Sequence, residues 1–129
     1  MVAKPPLKPA VVIDANPCFR TDDGGWIYVS NAEVRDASVA LSREAAELLG
    51  GFRGGVGALR FDADGNLVDA YAIQTGTTTN CSGGATPWGT WINGEEIRDG
   101  YMFECSPLRD GGEAVRLDRF GRKAHEMVA

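Results

Sequence analysis

Residues 57–73 read Gly57-Ala58-Leu59-Arg60-Phe61-Asp62-Ala63-Asp64-Gly65-Asn66-Leu67-Val68-Asp69-Ala70-Tyr71-Ala72-Ile73. Two apolar-rich runs flank an Asp-x-Asp-Gly turn, and that arrangement predicts a β-hairpin. The turn also has the opening of a calcium-binding loop. An EF-hand loop needs a glutamate at its twelfth position and a helix on either side. Counting from Asp62, that position holds Ile73, so the turn is read as structural.

The rest of the chain follows the same pattern. Upstream, Asp22-Asp23-Gly24-Gly25 is a turn signal that feeds the aromatic and β-branched run Trp26-Ile27-Tyr28-Val29-Ser30, a strand that residues 31–34 continue. Residues 42–49 form the one candidate helix, with Ser42 as N-cap and Gly50-Gly51 as its stop. A short irregular excursion is the alternative there. Residues 1–10 are rich in Pro and Lys and read as extended or mobile.

Downstream, a Gly-rich loop leads into a strand over residues 89–95. Asp99-Gly100 then turns the chain into a strand over 101–105, which Ser106-Pro107 ends. A polar loop over 108–113, a short strand over 114–117 and a basic turn over 119–123 follow. A last strand begins at His125. Six or seven short strands separated by turns give the pattern of a propeller or a β-sandwich.

With 129 residues, the chain is long enough for one domain with a modest core. Seventeen glycines favour a turn-rich β protein over a helical bundle. A net charge of −5 speaks against a nucleic-acid surface, which needs a basic footprint. It leaves a phosphate substrate open, because bound metal ions reverse the local field. Cys18, Cys81 and Cys105 cannot all pair within one chain, and they do not make a Cys-x-x-Cys zinc pattern. No stretch reaches the length of a membrane span, so no membrane partner is expected. The first ten residues lack the apolar core of a signal peptide.

The chemistry concentrates in residues 80–96, Asn-Cys-Ser-Gly-Gly-Ala-Thr-Pro-Trp-Gly-Thr-Trp-Ile-Asn-Gly-Glu-Glu. This run holds a thiol (Cys81), two indoles (Trp88, Trp91) and two carboxylates (Glu95, Glu96). Glycines after a thiol let the backbone bend and another group come close. A soft thiolate beside hard carboxylates suits iron or zinc, or a mixed cluster with calcium. On a strand, Glu95 and Glu96 point to opposite faces, so one of them at most serves a given site. Residue by residue, the bland readings stay open: a buried inert cysteine, a solvated strand end and core tryptophans.

The whole string resembles the signature of the PhoX-type alkaline phosphatases, Asn-Cys-x-Gly-Gly-x-Thr-Pro-Trp-Gly-Thr-Trp followed shortly by Glu-Glu. Residues 26–33, 59–80, 101–104 and 121–129 also resemble segments of that family, in the family's order. The resemblance implies a mainly β fold of antiparallel strands and hairpins. It would be a partial β-propeller of one to two blades, with at most one short helix. Residues 1–23 would be an extended N-terminal segment, and residues 24–129 the N-terminal part of the propeller.

The resemblance also implies phosphomonoester hydrolysis at an iron–calcium centre, with a phosphomonoester or phosphate as partner. Cys81 matches the iron-ligating cysteine. Glu96 matches the ligand of the Glu-Glu pair, with Glu95 the less favoured member. Glu126 matches the glutamate of the His-Glu segment, and Glu33 that of the early Asn-x-Glu. Asn31, Asn80, His125 and Trp88 are implied to line the site.

This sequence departs from the family at Asn93-Gly94, where members usually carry Thr-Cys. Family members run to several hundred residues and take further acidic ligands and an arginine from later blades. This chain is therefore expected to be an incomplete unit, and its uncovered strand edges point to self-association. The family is mostly exported. The rival class is a non-catalytic β module that binds or self-associates. A calcium-dependent sugar-lactone hydrolase shares hairpins like residues 57–73 but lacks the Cys-x-Gly-Gly string.

Overall fold

The computed structural model describes residues 18–32 and 52–126. Among these residues, eight strands fall in two sheets: β1 (Cys18–Arg20), β2 (Trp26–Ala32), β3 (Phe52–Phe61), β4 (Leu67–Gly76), β5 (Asn80–Ala85), β6 (Trp91–Glu95), β7 (Met102–Cys105) and β8 (Val115–Arg116). The first sheet has the order β1-β2-β3-β4 and the second β5-β6-β7-β8. All neighbours are antiparallel. Each sheet is thus a four-stranded meander, the form a propeller blade takes. The described residues form no closed propeller. The expected helix at 42–49 and Glu33 lie outside them.

The hairpin over 57–73 forms as its residues predict. Asp62 closes the turn: its Oδ1 accepts the amides of Asp64 (3.0 Å) and Asn66 (2.9 Å), and its Oδ2 accepts Asn66 Nδ2 at 3.1 Å. Those bonds, Asn66's first, hold the Asp62 carboxyl below its ordinary range. Gly65 takes the left-handed conformation the turn needs, with φ 84°. The carboxylate that a calcium loop would offer to an ion is used by its own backbone. The 21–25 turn works likewise. There the Asp23 carboxylate accepts from Thr21, the Gly25 amide and Arg60.

Two expectations change. Residues 80–85 read as a Gly-rich loop, yet they form β5, with a bulge between Cys81 and Gly83. The glycine there serves close approach: a Cβ on Gly83 would lie 1.9 Å from the Ile92 carbonyl oxygen. The strand expected to begin at His125 does not start within the described residues. The chain over 121–126 is irregular, pinned by backbone bonds from Lys123 N to Gly100 O (3.1 Å) and from His125 N to Glu95 O (3.0 Å). Cys18–Arg20, inside the segment read as extended, is paired as an edge strand.

The core lies where the sheets meet. Ile27, Val29, Val56, Ala58 and Ile73 from the first sheet pack with Trp91 and Cys105 from the second. Alternation decides which residues take part. Trp91, Asn93 and Glu95 turn inward along β6 and are buried, while Ile92 between them is half-buried. A second seam joins the sheets at the surface. Tyr71 Oη donates to the Pro107 carbonyl at 2.7 Å, and the Arg109 guanidinium pairs with Asp69 and lies over the Tyr71 ring.

Candidate metal centre

Strand β5 sets Cys81 opposite Gly94 and Asn80 opposite Glu95. By the two-residue period, Asn80 and Glu95 face inward. Cys81, Gly94 and, one step past β6, Glu96 share the other face. Cys81 and Glu96 are both half-buried. The Glu96 amide continues the ladder to the Thr79 carbonyl at 3.0 Å. None of the three cysteines, all of them described, is in a disulfide.

Glu95 is fully buried. Its Oε1 accepts the Thr78 amide (3.2 Å) and its Oε2 accepts the Tyr101 amide (3.1 Å). It thereby ties the β4–β5 connection to the start of β7. Thr79 in that connection has φ 45°, a left-handed conformation that a β-branched residue rarely adopts. The buried Thr77-Thr78-Thr79 run thus holds Asn80 and Cys81 in place through strained backbone.

Inward of Cys81 lies a buried amide network. Asn93 Nδ2 donates to Gln74 Oε1 (2.8 Å), and Gln74 Nε2 donates to Asn93 Oδ1 (3.1 Å). Asn80 Nδ2 donates to the same Asn93 oxygen (2.8 Å), while Thr77 Oγ1 donates to Asn80 Oδ1 (2.9 Å). Each amide satisfies its neighbour, so a buried polar cluster is tolerated. The sequence signal for it was Asn93, where this chain departs from the family. Gln74 and Thr77 carried none.

The other residues singled out from the sequence separate. His125 is buried against Gly94, where an added Cβ would come within 2.3 Å of the His125 Cβ. Its Nε2 lies 3.1 Å from the Gly121 carbonyl oxygen. Glu126 is exposed. Asn31 bridges the sheets, donating to the Cys81 carbonyl at 2.8 Å and accepting from Trp91 Nε1 at 3.0 Å. Trp88 stands at the far tip of the β5–β6 hairpin, 69% exposed. Its Nε1 donates to Glu104 Oε1 at 2.7 Å, and Thr90 donates to the same oxygen. Those bonds, Thr90's first, hold the Glu104 carboxyl below its ordinary range.

Among the described residues, no three His, Cys, Asp or Glu side chains converge as a metal site. Cys81 and Glu96 share a face, but two donors do not fix an ion in a defined geometry. A cleft of about 410 Å³ lies elsewhere, between β4 and the 112–114 loop, with Gln74, Thr75, Phe103 and Glu113 in its walls.

No curated protein and no solved structure matches this chain. The family model of alkaline phosphatase PhoX matches residues 19–129, which takes in both sheets from the second residue of β1 onward. The chain belongs to the alkaline phosphatase PhoX family.

Proposed function

We propose that the chain supplies the first part of a phosphomonoesterase centre that works with iron and calcium. Membership of the PhoX family is the observation that carries this reading. The half-buried thiol of Cys81, which is in no disulfide and lies on the face shared with Glu96, supports it.

In this reading Cys81 is the soft ligand and Glu96 the hard one, with Glu126 and Glu33 as further oxygen donors. Glu95 is the less favoured member of its pair, because both its oxygens already accept backbone amides. Metal ions in such a centre neutralise charge on the phosphoryl oxygens. The chain's own contribution is positional. Asn31 fixes the Cys81 carbonyl, the strained Thr79 fixes the approach to Asn80, and Gly94 lets His125 pack under the strand. The described donors are too few to complete the centre, so further ligands must come from outside them.

Alkylation kinetics test the assignment. Iron(II) under anaerobic conditions should slow modification of Cys81 by iodoacetamide and leave the exposed Cys18 unaffected. Equal effects on both thiols, or none on Cys81, would count against Cys81 as a ligand.

A second reading, self-association, is favoured by one observation. β4 is the edge of its sheet among the described residues, and it exposes Leu67 (56%) and Val68 (55%) at its start. An uncovered apolar edge is a template for another strand. Concentration-dependent sedimentation that Val68→Lys abolishes would support it, and a monomer at all concentrations would exclude it.

A further inference from the structure

We infer that the Asp69–Arg109 pair is a latch on the edge of β4, and that opening it lets β4 of one copy of the chain pair with β4 of a second copy. The partner rests on the self-association reading. The latch goes beyond it, by naming the residues that gate the contact.

Among the described residues β4 is an edge strand. In an antiparallel ladder, the N–H and C=O of every second residue point away from the neighbouring strand. Ala70 is such a residue. It stands opposite Leu59, yet its amide donates to Asp69 Oδ1 at 2.9 Å, and its carbonyl oxygen lies 3.4 Å from Arg109 Nη2. The register runs unbroken from Ala70 to Ala72, so the Ala72 groups point the same way. The cleft of about 410 Å³ begins there, with Ala72 and Thr75 on one wall and Phe103 and Ala114 on the other. The edge is covered at Ala70 and open at Ala72.

Three side chains build the cover. Arg109 Nε donates to Asp69 Oδ2 at 2.8 Å, and the guanidinium lies over the Tyr71 ring, with Cζ 4.8 Å from its centroid. Tyr71 Oη in turn holds the loop that carries Arg109, through the Pro107 carbonyl. Asp69 and Tyr71 flank Ala70 and share one face of the strand. The guanidinium therefore spans the residue whose edge groups it caps. A charged side chain laid on an edge strand is a device against strand addition. This one opens readily. The Arg109 and Asp69 side chains are 59% and 35% exposed, and an exposed pair is worth little and is screened by salt.

The strand itself identifies the occupant. Paired antiparallel with its own copy from end to end, Leu67–Gly76 sets the partner subunit's Val68 opposite Thr75 and the partner subunit's Leu67 opposite Gly76. The exposed apolar start of one β4 thus meets the cleft end of the other. The contact is two-fold and closed: it adds one copy, covers both edges and stops.

The test is sedimentation of the 129-residue chain across a concentration series. Four forms are compared: the unaltered chain, Arg109→Gln, Arg109→Gln with Val68→Lys, and Arg116→Gln. The last is the control, since it takes a guanidinium off a tyrosine ring of the other sheet. Arg109→Gln should lower the dimer dissociation constant about threefold or more, because each dimer opens two exposed pairs. Adding Val68→Lys should return the chain to monomer, and Arg116→Gln should behave as the unaltered chain does. Amide exchange at Ala72 and Thr75 should slow in the Arg109→Gln dimer. Association unchanged by Arg109→Gln, an equal gain in Arg116→Gln, or a gain that survives Val68→Lys would overturn the latch. If the unaltered chain associated in those same runs, the self-association reading would stand without it. A chain that stays monomeric until Arg109 is replaced would do the reverse, keeping the latch and excluding self-association of the unaltered chain.

Discussion

Trp91 and Asn31 hold the two sheets to each other. The indole Nε1 donates to Asn31 Oδ1 at 3.0 Å, and the same amide donates to the backbone of Cys81 at 2.8 Å. Asn31→Ala leaves a buried indole N–H without its acceptor and frees the Cys81 carbonyl. A loss of about 1–3 kcal/mol in unfolding free energy is expected, the penalty of an orphaned buried polar group. Urea denaturation followed by tryptophan emission measures it, and a loss under about 0.5 kcal/mol would show the bond to be dispensable.

The two signature tryptophans should behave oppositely. Trp91 is fully buried and Trp88 is 69% exposed. Trp91→Ala should cost about 3–5 kcal/mol by leaving a cavity. Trp88→Ala should cost under about 1 kcal/mol, as surface changes do. Comparable losses at the two sites would contradict the packing described.

Glu95 and Glu96 should separate as well. Glutamine at Glu95 offers an NH2 group where one of two backbone amides needs an acceptor. Glu95→Gln should therefore destabilise by about 1–3 kcal/mol, while Glu96→Gln stays within about 0.5 kcal/mol. Paired thermal and urea melts would reveal the reverse order if Glu96 were the structural residue.

Cysteine reactivity follows burial. Cys105 is buried, and desolvation with the nearby Glu104 charge pushes its thiol up to about 12. Iodoacetamide at pH 8 should modify Cys18 and Cys81 and spare Cys105 until the chain unfolds. A folded-state value above the unfolded one means that Cys105 stabilises the fold fully below its ordinary value of 9.0. That contribution is lost as pH rises from there toward about 12. Asp23 runs the other way. Bonds from Thr21, Gly25 and Arg60 hold its carboxyl near 2, so its contribution is present above the ordinary carboxylate range and is lost as pH falls through about 2. Denaturation midpoints should fall at both extremes, and a Cys105→Ala variant should show a flatter alkaline limb.

Much of the fold was legible because it is local. Asp-x-Asp-Gly sets the β3–β4 turn through its own side chain, and alternation along β6 puts Trp91 inside. What escaped was non-local. Gly83 looked like loop chemistry, but its lack of a side chain serves the Ile92 carbonyl of the partner strand. The Gln74–Asn93 pair spans two sheets and leaves no periodic trace. Of the candidate site, the string around Cys81 was readable as a motif. That Glu95 and Glu96 point to opposite faces followed from strand period, while the burial of Glu95 and the backbone amides that occupy it did not.

The 129-residue chain alone should not hydrolyse a chromogenic phosphomonoester above background, even with iron and calcium added. Among the described residues no three donors converge, and an ion held by two ligands lacks the fixed geometry catalysis needs. Turnover by a monomer, abolished in Cys81→Ala, would mean that a far smaller unit than a closed propeller suffices.

Whether Cys81 is an iron ligand in a PhoX centre is decided by X-ray absorption at the iron K-edge of the iron-loaded chain. A sulfur scatterer is expected in the iron's first shell, one that disappears in Cys81→Ala and persists in Cys18→Ala. An all-oxygen and nitrogen shell in the unaltered chain, or a sulfur signal that survives Cys81→Ala, would contradict it.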